Sequence, residues 1–136
     1  MKASSQKRNC ERGGAGIKLV IALVVLLVIG HAGYNYIPVA YQCEEYKQKM
    51  SETIMQAYAM PNTPLNSPES VKAKLRKFGD EAGVPATAII KIDKIAEGAM
   101  RAHVTFTKQI EILPFGLYKH NYNFNHSAQP TGFLTK

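Results

Sequence analysis

The stretch that decides the architecture runs from Gly14 to Tyr46 and reads GAGIKLVIALVVLLVIGHAGYNYIPVAYQCEEY. Leu19 to Gly30 is twelve residues without a polar side chain, rich in Val, Leu and Ile. Twelve residues are short for a membrane span and match the core of a signal peptide. Extension from Leu19 to Tyr41 gives 23 residues, interrupted by His31 and Asn35 and by no charge, which is long enough to cross a bilayer. Tyr34, Tyr36 and Tyr41 gather at the far end, where amphipathic rings favour the headgroup zone. Lys18 at the near end can snorkel back to the opposite interface.

The helical pattern does not stop where the apolar run does. Val39, Cys43, Tyr46, Met50, Ile54 and Ala57 follow one another at three- and four-residue steps, so they form one stripe on one face. Glu45→Lys49 is an (i, i+4) pair in the favourable order, and Glu44→Lys47 is an (i, i+3) pair. Pro61 and Pro64 end any helix. A continuous helix from about Gly16 to Tyr58 would be ~64 Å long, enough to span a membrane and project past it. Pro38 falls inside it, removes one backbone hydrogen bond and predicts a kink near residues 34–38.

Charge gives the run a direction. Lys2, Lys7, Arg8 and Arg12 stand against Glu11 in the first sixteen positions, out of a net charge of +7 over 136 residues. A basic block abutting an apolar run is retained on the cytoplasmic side, which places the N-terminus inside and the rest of the chain outside. The same block accounts for the basic total without nucleic acid, and no nucleic-acid partner is expected. Signal-peptide cleavage is the competing reading: Gly30-His31-Ala32 is a small-x-small triplet, and a cut after Ala32 would release a soluble binding domain starting at Gly33.

Cys10 and Cys43 lie on either side of the run. The 26 helical residues from 17 to 42 would hold them ~39 Å apart, beyond disulfide reach. Cys43 is left as a core or lipid-edge residue, or as half of an intermolecular disulfide between two copies.

The leader and the proline carry a resemblance. The N-terminus is similar to that of type IV pilins and secretion pseudopilins, in which a short basic leader ends in Gly and a long apolar helix follows. With Met1–Gly16 as leader and Ile17 as first mature residue, Pro38 is the twenty-second, in the local sequence IPVAY. The resemblance implies processing between Gly16 and Ile17 and self-assembly through the N-terminal helix. Two positions depart from the pattern. Ile21 replaces the glutamate that compensates a neighbour's amino terminus in the filament core, and Lys18 adds a charge beside it. Over nearly the whole chain the sequence also resembles a family of small bacterial single-span proteins with a pilin-like stem. The residues carrying that likeness are Leu113, Pro114, Phe115, Gly116, Phe124, His126 and Ser127. That family implies a fold and a membrane location, and no activity.

Beyond the stem, Ser67 reads as an N-cap, with Pro68 at the first helical position and Glu69 in the first turn. The spacing predicts a helix from Pro68 to about Phe78, with Val71, Leu75 and Phe78 on one face. Lys72, Lys74, Arg76 and Lys77 fill much of the remainder, as a solvated face or as a patch for anionic headgroups or an acidic partner. Three strands are expected to follow: Thr87 to Asp93, then Met100 to Thr107 in strict alternation, then Leu117 to Asn125 with Tyr118, Tyr122 and Phe124 on one face. Turns are expected at Ala96-Glu97-Gly98 and at the LPFG segment. Such a meander, wet on one face, requires a cover that the second helix and the upper stem can supply.

The expected fold is therefore α+β and pilin-like: a long kinked transmembrane helix, a short second helix and a three-stranded antiparallel sheet. It divides into a basic cytoplasmic leader (1–16), the transmembrane helix and stem (17–60) and a small head (61–136). No catalytic constellation or cofactor motif emerges. His120 and His126 share a strand face but would lie ~20 Å apart, there is no HExxH motif or CxxC pair, and Ser127 and His126 point to opposite faces. The expectation is a non-enzymatic, single-pass structural or protein-interaction subunit of a bacterial inner membrane, with lipid and a protein partner as its contacts. A processed minor pilin or pseudopilin is the alternative within that class.

Overall fold

The computed structural model describes residues 14–96 and 98–130. It is an α+β arrangement built on one long helix, α1 (Gly14–Ala59). A 3-10 turn at Pro64–Asn66 leads to α2 (Pro68–Glu81), and three strands follow: β1 (Ile89–Ala96), β2 (Ala99–Glu111) and β3 (Lys119–Ala128). They form an antiparallel sheet in the order β1-β2-β3, so β2 is central. The basic leader through Gly13, with Cys10, lies outside the described residues, as does Glu97 of the expected turn.

The stripe on α1 becomes the core. Cys43, Tyr46, Met50, Ile54 and Ala57 are buried, together with Thr53, whose hydroxyl donates back to the Lys49 carbonyl at 2.7 Å. Val39 packs against the same cluster. From the sheet side come Ile90, Met100, Ala102, Val104, Phe106, Phe124 and Ala128, and from α2 come Val71 and Leu75. Burying side chains of this size stabilises by about 1.5–3 kcal/mol each. The stem is thus one wall of the head.

At the centre of that wall sits Tyr46. Phe106 and Phe124 are directly paired across β2 and β3 and stack with ring centroids 4.6 Å apart. The Tyr46 ring meets both at tilted angles, 6.4 and 5.9 Å away, and its hydroxyl donates to the Leu75 carbonyl of α2 at 3.1 Å. A single side chain therefore ties helix, helix and sheet. Lys47 covers the open side of Phe124 at 5.9 Å, and Lys49 covers Phe78 at 5.8 Å.

Several boundaries differ from the sequence expectation for physical reasons. α2 begins as read, with the Ser67 hydroxyl accepting from the Ser70 amide at 3.1 Å. It runs three residues past Phe78 because Gly79 is not its stop. Gly79 lies buried beside Tyr46, and the terminating glycine is Gly83, at φ 67°, with the Ala82 and Val84 amides closing onto Phe78 and Gly79. β1 is shifted toward Ala96, with an irregular register between Lys94 and Ala96. Leu117 and Tyr118 belong to the β2–β3 connection and not to β3, since the Tyr118 carbonyl accepts from the Ile112 and Leu113 amides. Lys49 pairs with Glu52 at 3.5 Å rather than with Glu45, while Glu44–Lys47 forms as expected.

If the stem is a wall of the core, its two neighbouring methionines will behave differently. Met50→Ala, at a fully buried site, is expected to cost about 2–5 kcal/mol, whereas Met55→Ala, on the exposed face, is expected to stay within about 0.5 kcal/mol. Amide exchange of β2 in the detergent-solubilised chain reads both.

Candidate functional site

The features that could carry function are distributed along α1, and the level at which the head first meets the stem organises them. The side chains of Ile17, Leu19 to Leu27 and Ile29 stand clear of the head, and none of the most apolar 18-residue window is buried. The helix is long and apolar enough to cross a membrane. A polar joint to the head is made at Asn35, whose side-chain amide donates to the Glu111 carbonyl at 2.9 Å. The next residue, Tyr36, meets Tyr122 edge-on at 6.2 Å. His31 lies one turn before Asn35, 3.2 Å from its amide. The stretch from residue 14 to residue 34, in which no side chain is fully buried, is ~31 Å at 1.5 Å per residue, close to the ~30 Å hydrocarbon thickness of a bilayer.

Asn35, one of the two polar interruptions of the run, thus fastens the lower end of the sheet to the stem. Beside it Lys119 and Glu111 pair at 3.3 Å across the neck of the β2–β3 hairpin. Pro38 is inside α1, three residues above this joint. Gly16 and Ile17, the residues of possible leader processing, lie exposed near the start of α1.

Cys43 is 4% exposed and surrounded by the core. An intermolecular disulfide would require its thiol to leave that core. Burial pushes the thiol above its ordinary value, against the opposing pull of Lys108 and Lys47. Burial likewise pushes the Tyr46 phenol up to about 12. His126, half-buried near Lys47 and Glu44, is held below its ordinary value by desolvation and by the Lys47 charge.

The four cations of α2 are not presented together. Arg76 donates to the Ala86 carbonyl at 3.2 Å and Lys74 to the Gln56 side chain at 3.4 Å, so both are drawn toward the fold on opposite sides of the buried stripe. Lys72 and Lys77 stand exposed. The histidines are likewise dispersed: His120 is exposed beside the neck opposite Ile110, and His126 sits opposite Val104. Among the described residues no three His, Cys, Asp or Glu side chains converge as a metal site. On the outer sheet face Thr107 donates to Asn123, Arg101 grips Gln129, and the Thr105 hydroxyl lies 3.1 Å from His103 Nε2, a row of polar pairs along β2.

Two outcomes follow from this joint. Asn35→Ala removes the lowest stem-to-sheet bond, at a cost on the order of 1 kcal/mol. Exchange of the Ile112 and Leu113 amides is expected to accelerate several-fold, read by mass spectrometry, while β1 is unchanged. The second concerns pH. Cys43 and Tyr46 ionise more readily in the unfolded chain than in the core, from ordinary values of 9.0 and 10.0. Their neutral-state contribution is complete below pH 9 and is lost as pH rises, for Tyr46 between 10 and about 12. In a Cys10→Ser variant, excess rapid thiol reagent should modify Cys43 slowly at pH 8. The excess over the rise owed to thiolate formation should begin above pH 10.

Comparison with known proteins finds no matching family model, no matching curated protein and no matching solved structure.

Proposed function

We propose that this chain is a single-pass, membrane-anchored structural or interaction subunit, pilin-like in layout. Its N-terminus is cytoplasmic, and its head is held outside the inner membrane of a bacterium. The observation that carries the reading is the division of α1. Its free apolar length matches a bilayer, and the polar joint at Asn35 and the docked stem begin where that length ends. Orientation rests on Lys2, Lys7, Arg8, Arg12 and Lys18 at one end of the run, with Tyr34, Tyr36 and Tyr41 at the other. In this role the head presents a surface at a fixed height and angle, since the helix that crosses the lipid is the helix that completes the core.

A processed minor pilin or pseudopilin is a second reading, favoured by the 22-residue spacing from Gly16 to Pro38. Ile21 and Lys18 weigh against stacking of such stems in an apolar filament. Release after Ala32 is the third. It would leave Asn35 and every buried stem residue attached to the head, so the domain would keep its core without the apolar run.

One measurement separates them. The mature protein is expected in the membrane fraction, resistant to alkaline extraction, with an N-terminus at Met1. Ile17 as first residue would indicate the processed subunit, and a soluble product beginning at Gly33 would overturn the anchor.

A further inference from the structure

The β2–β3 connection does not follow the economy of the rest of the head. It reads Ile112-Leu113-Pro114-Phe115-Gly116-Leu117-Tyr118, seven residues without a charge. Phe115 is 98% exposed, Leu117 78% and Tyr118 53%. Phe115 also has φ 63° and is followed by Gly116 at φ 69°. Two successive positive φ values are the demand of a tight hairpin turn, whose first position is ordinarily filled by Asn, Asp or Gly. Phe at that position serves neither the turn nor the core.

The register of β2 against α1 places this tip. Phe106 lies against Tyr46, and the Glu111 carbonyl lies against Asn35. Five strand residues cover ~17 Å at 3.3 Å each, and eleven helical residues cover ~17 Å at 1.5 Å each. The strand therefore descends along the stem antiparallel to it, without drifting away. From Glu111 the chain continues in the same sense to Phe115, up to ~13 Å further if extended. That brings the apex below Asn35, alongside the part of α1 assigned to the bilayer. With Lys18 snorkelling to the near interface, the free stretch of residues 14–34 spans the hydrocarbon and the opposite boundary lies near Asn35. The tip then lies inside the opposite boundary, and the Glu111–Lys119 pair and Tyr118 form a polar and aromatic collar at its neck.

We propose that the Phe115–Leu117 tip is a second membrane contact, inserted into the outer leaflet beside α1, so that the head grips the lipid at two points. This rests on the single-pass reading, and its occupant is lipid because the register carries the tip into the zone that the helix itself marks as apolar. A second contact restricts the tilt of stem and head, which move as one body, relative to the bilayer plane.

The test uses the full chain in anionic phospholipid vesicles, in a Cys10→Ser, Cys43→Ala background. Single cysteines are introduced by Phe115→Cys, Leu117→Cys, Val25→Cys and Asn125→Cys and labelled with an environment-sensitive fluorophore. The labels at 115 and 117 are expected to emit as in an apolar medium and to be quenched by nitroxides attached to lipid near the headgroup. The label at 125, on the wet sheet face, is expected to remain water-like. Water-like emission at 115 and 117 with quenching at 25 by nitroxides deep in the lipid overturns the tip and leaves the anchor. An apolar signal at 115 that no lipid quencher reaches means a protein occupant, a second copy included, and also overturns it. Absence of quenching at 25 removes the anchor and the tip together.

Discussion

A three-stranded sheet with one apolar face cannot bury that face by itself, and everything else in this protein follows from how the face is covered. β2 turns Met100, Ala102, Val104, Phe106 and Ile110 inward, and β3 adds Phe124 and Ala128. α2, with Val71, Leu75 and a half-buried Phe78, is too short to cover a central strand of 13 residues. The stem completes the cover from Val39 to Ala57, with Tyr46 wedged over the Phe106–Phe124 stack. Removal of the stem would expose an apolar sheet, so the head has no independent existence above residue 60.

The same helix therefore presents two kinds of surface. Up to about Tyr34 none of its side chains is fully buried and most stand exposed, an apolar surface that is stable only against lipid or another apolar surface. From Asn35 upward it becomes amphipathic, with Cys43, Tyr46 and Met50 inward and Glu44, Glu45 and Gln48 outward. No flexible linker separates the two regimes. Motion of the lower helix is transmitted to the sheet, and a load on the head is carried into that helix, through packed side chains and the Asn35 joint.

Much of this was legible in the residues. The stripe from Val39 to Ala57 is a 3.6-residue signal strong enough to name the buried side chains of the stem, with Thr53 alone missed because its hydroxyl is satisfied by its own helix. The alternation in β2 and the Ser67 cap were equally local. What escaped were choices set by tertiary neighbours. The helix expected to end at about Phe78 runs on through Gly79, a close-packing site under Tyr46, and Lys49 pairs with Glu52 rather than Glu45. Asn35 looked like a blemish in an apolar run because its partner, a backbone carbonyl 76 residues away, leaves no trace in sequence. Tyr118 and Leu117 fit the alternation of β3, and only the hairpin's hydrogen bonds exclude them from it.

The division of the stem also bears on assembly. In a filament core, neighbouring helices would have to pack against the stem, but from Val39 to Ala57 its apolar stripe is already occupied by the sheet and α2. What remains is the exposed apolar run and a short outward face carrying Tyr34, Ile37 and Tyr41, all largely exposed. Packing of the membrane segments would draw Lys18 from an interface, where its ammonium is hydrated, into an apolar bundle in which Ile21 offers no carboxylate. A buried unpaired charge costs several kcal/mol even after relaxation. A stem surrounded by lipid would carry no such cost, since Lys18 would keep its water and Tyr34, Ile37 and Tyr41 would meet acyl chains and headgroups. The charge pattern of Lys18 and Ile21 thus favours the proposed single anchor over a stacked filament.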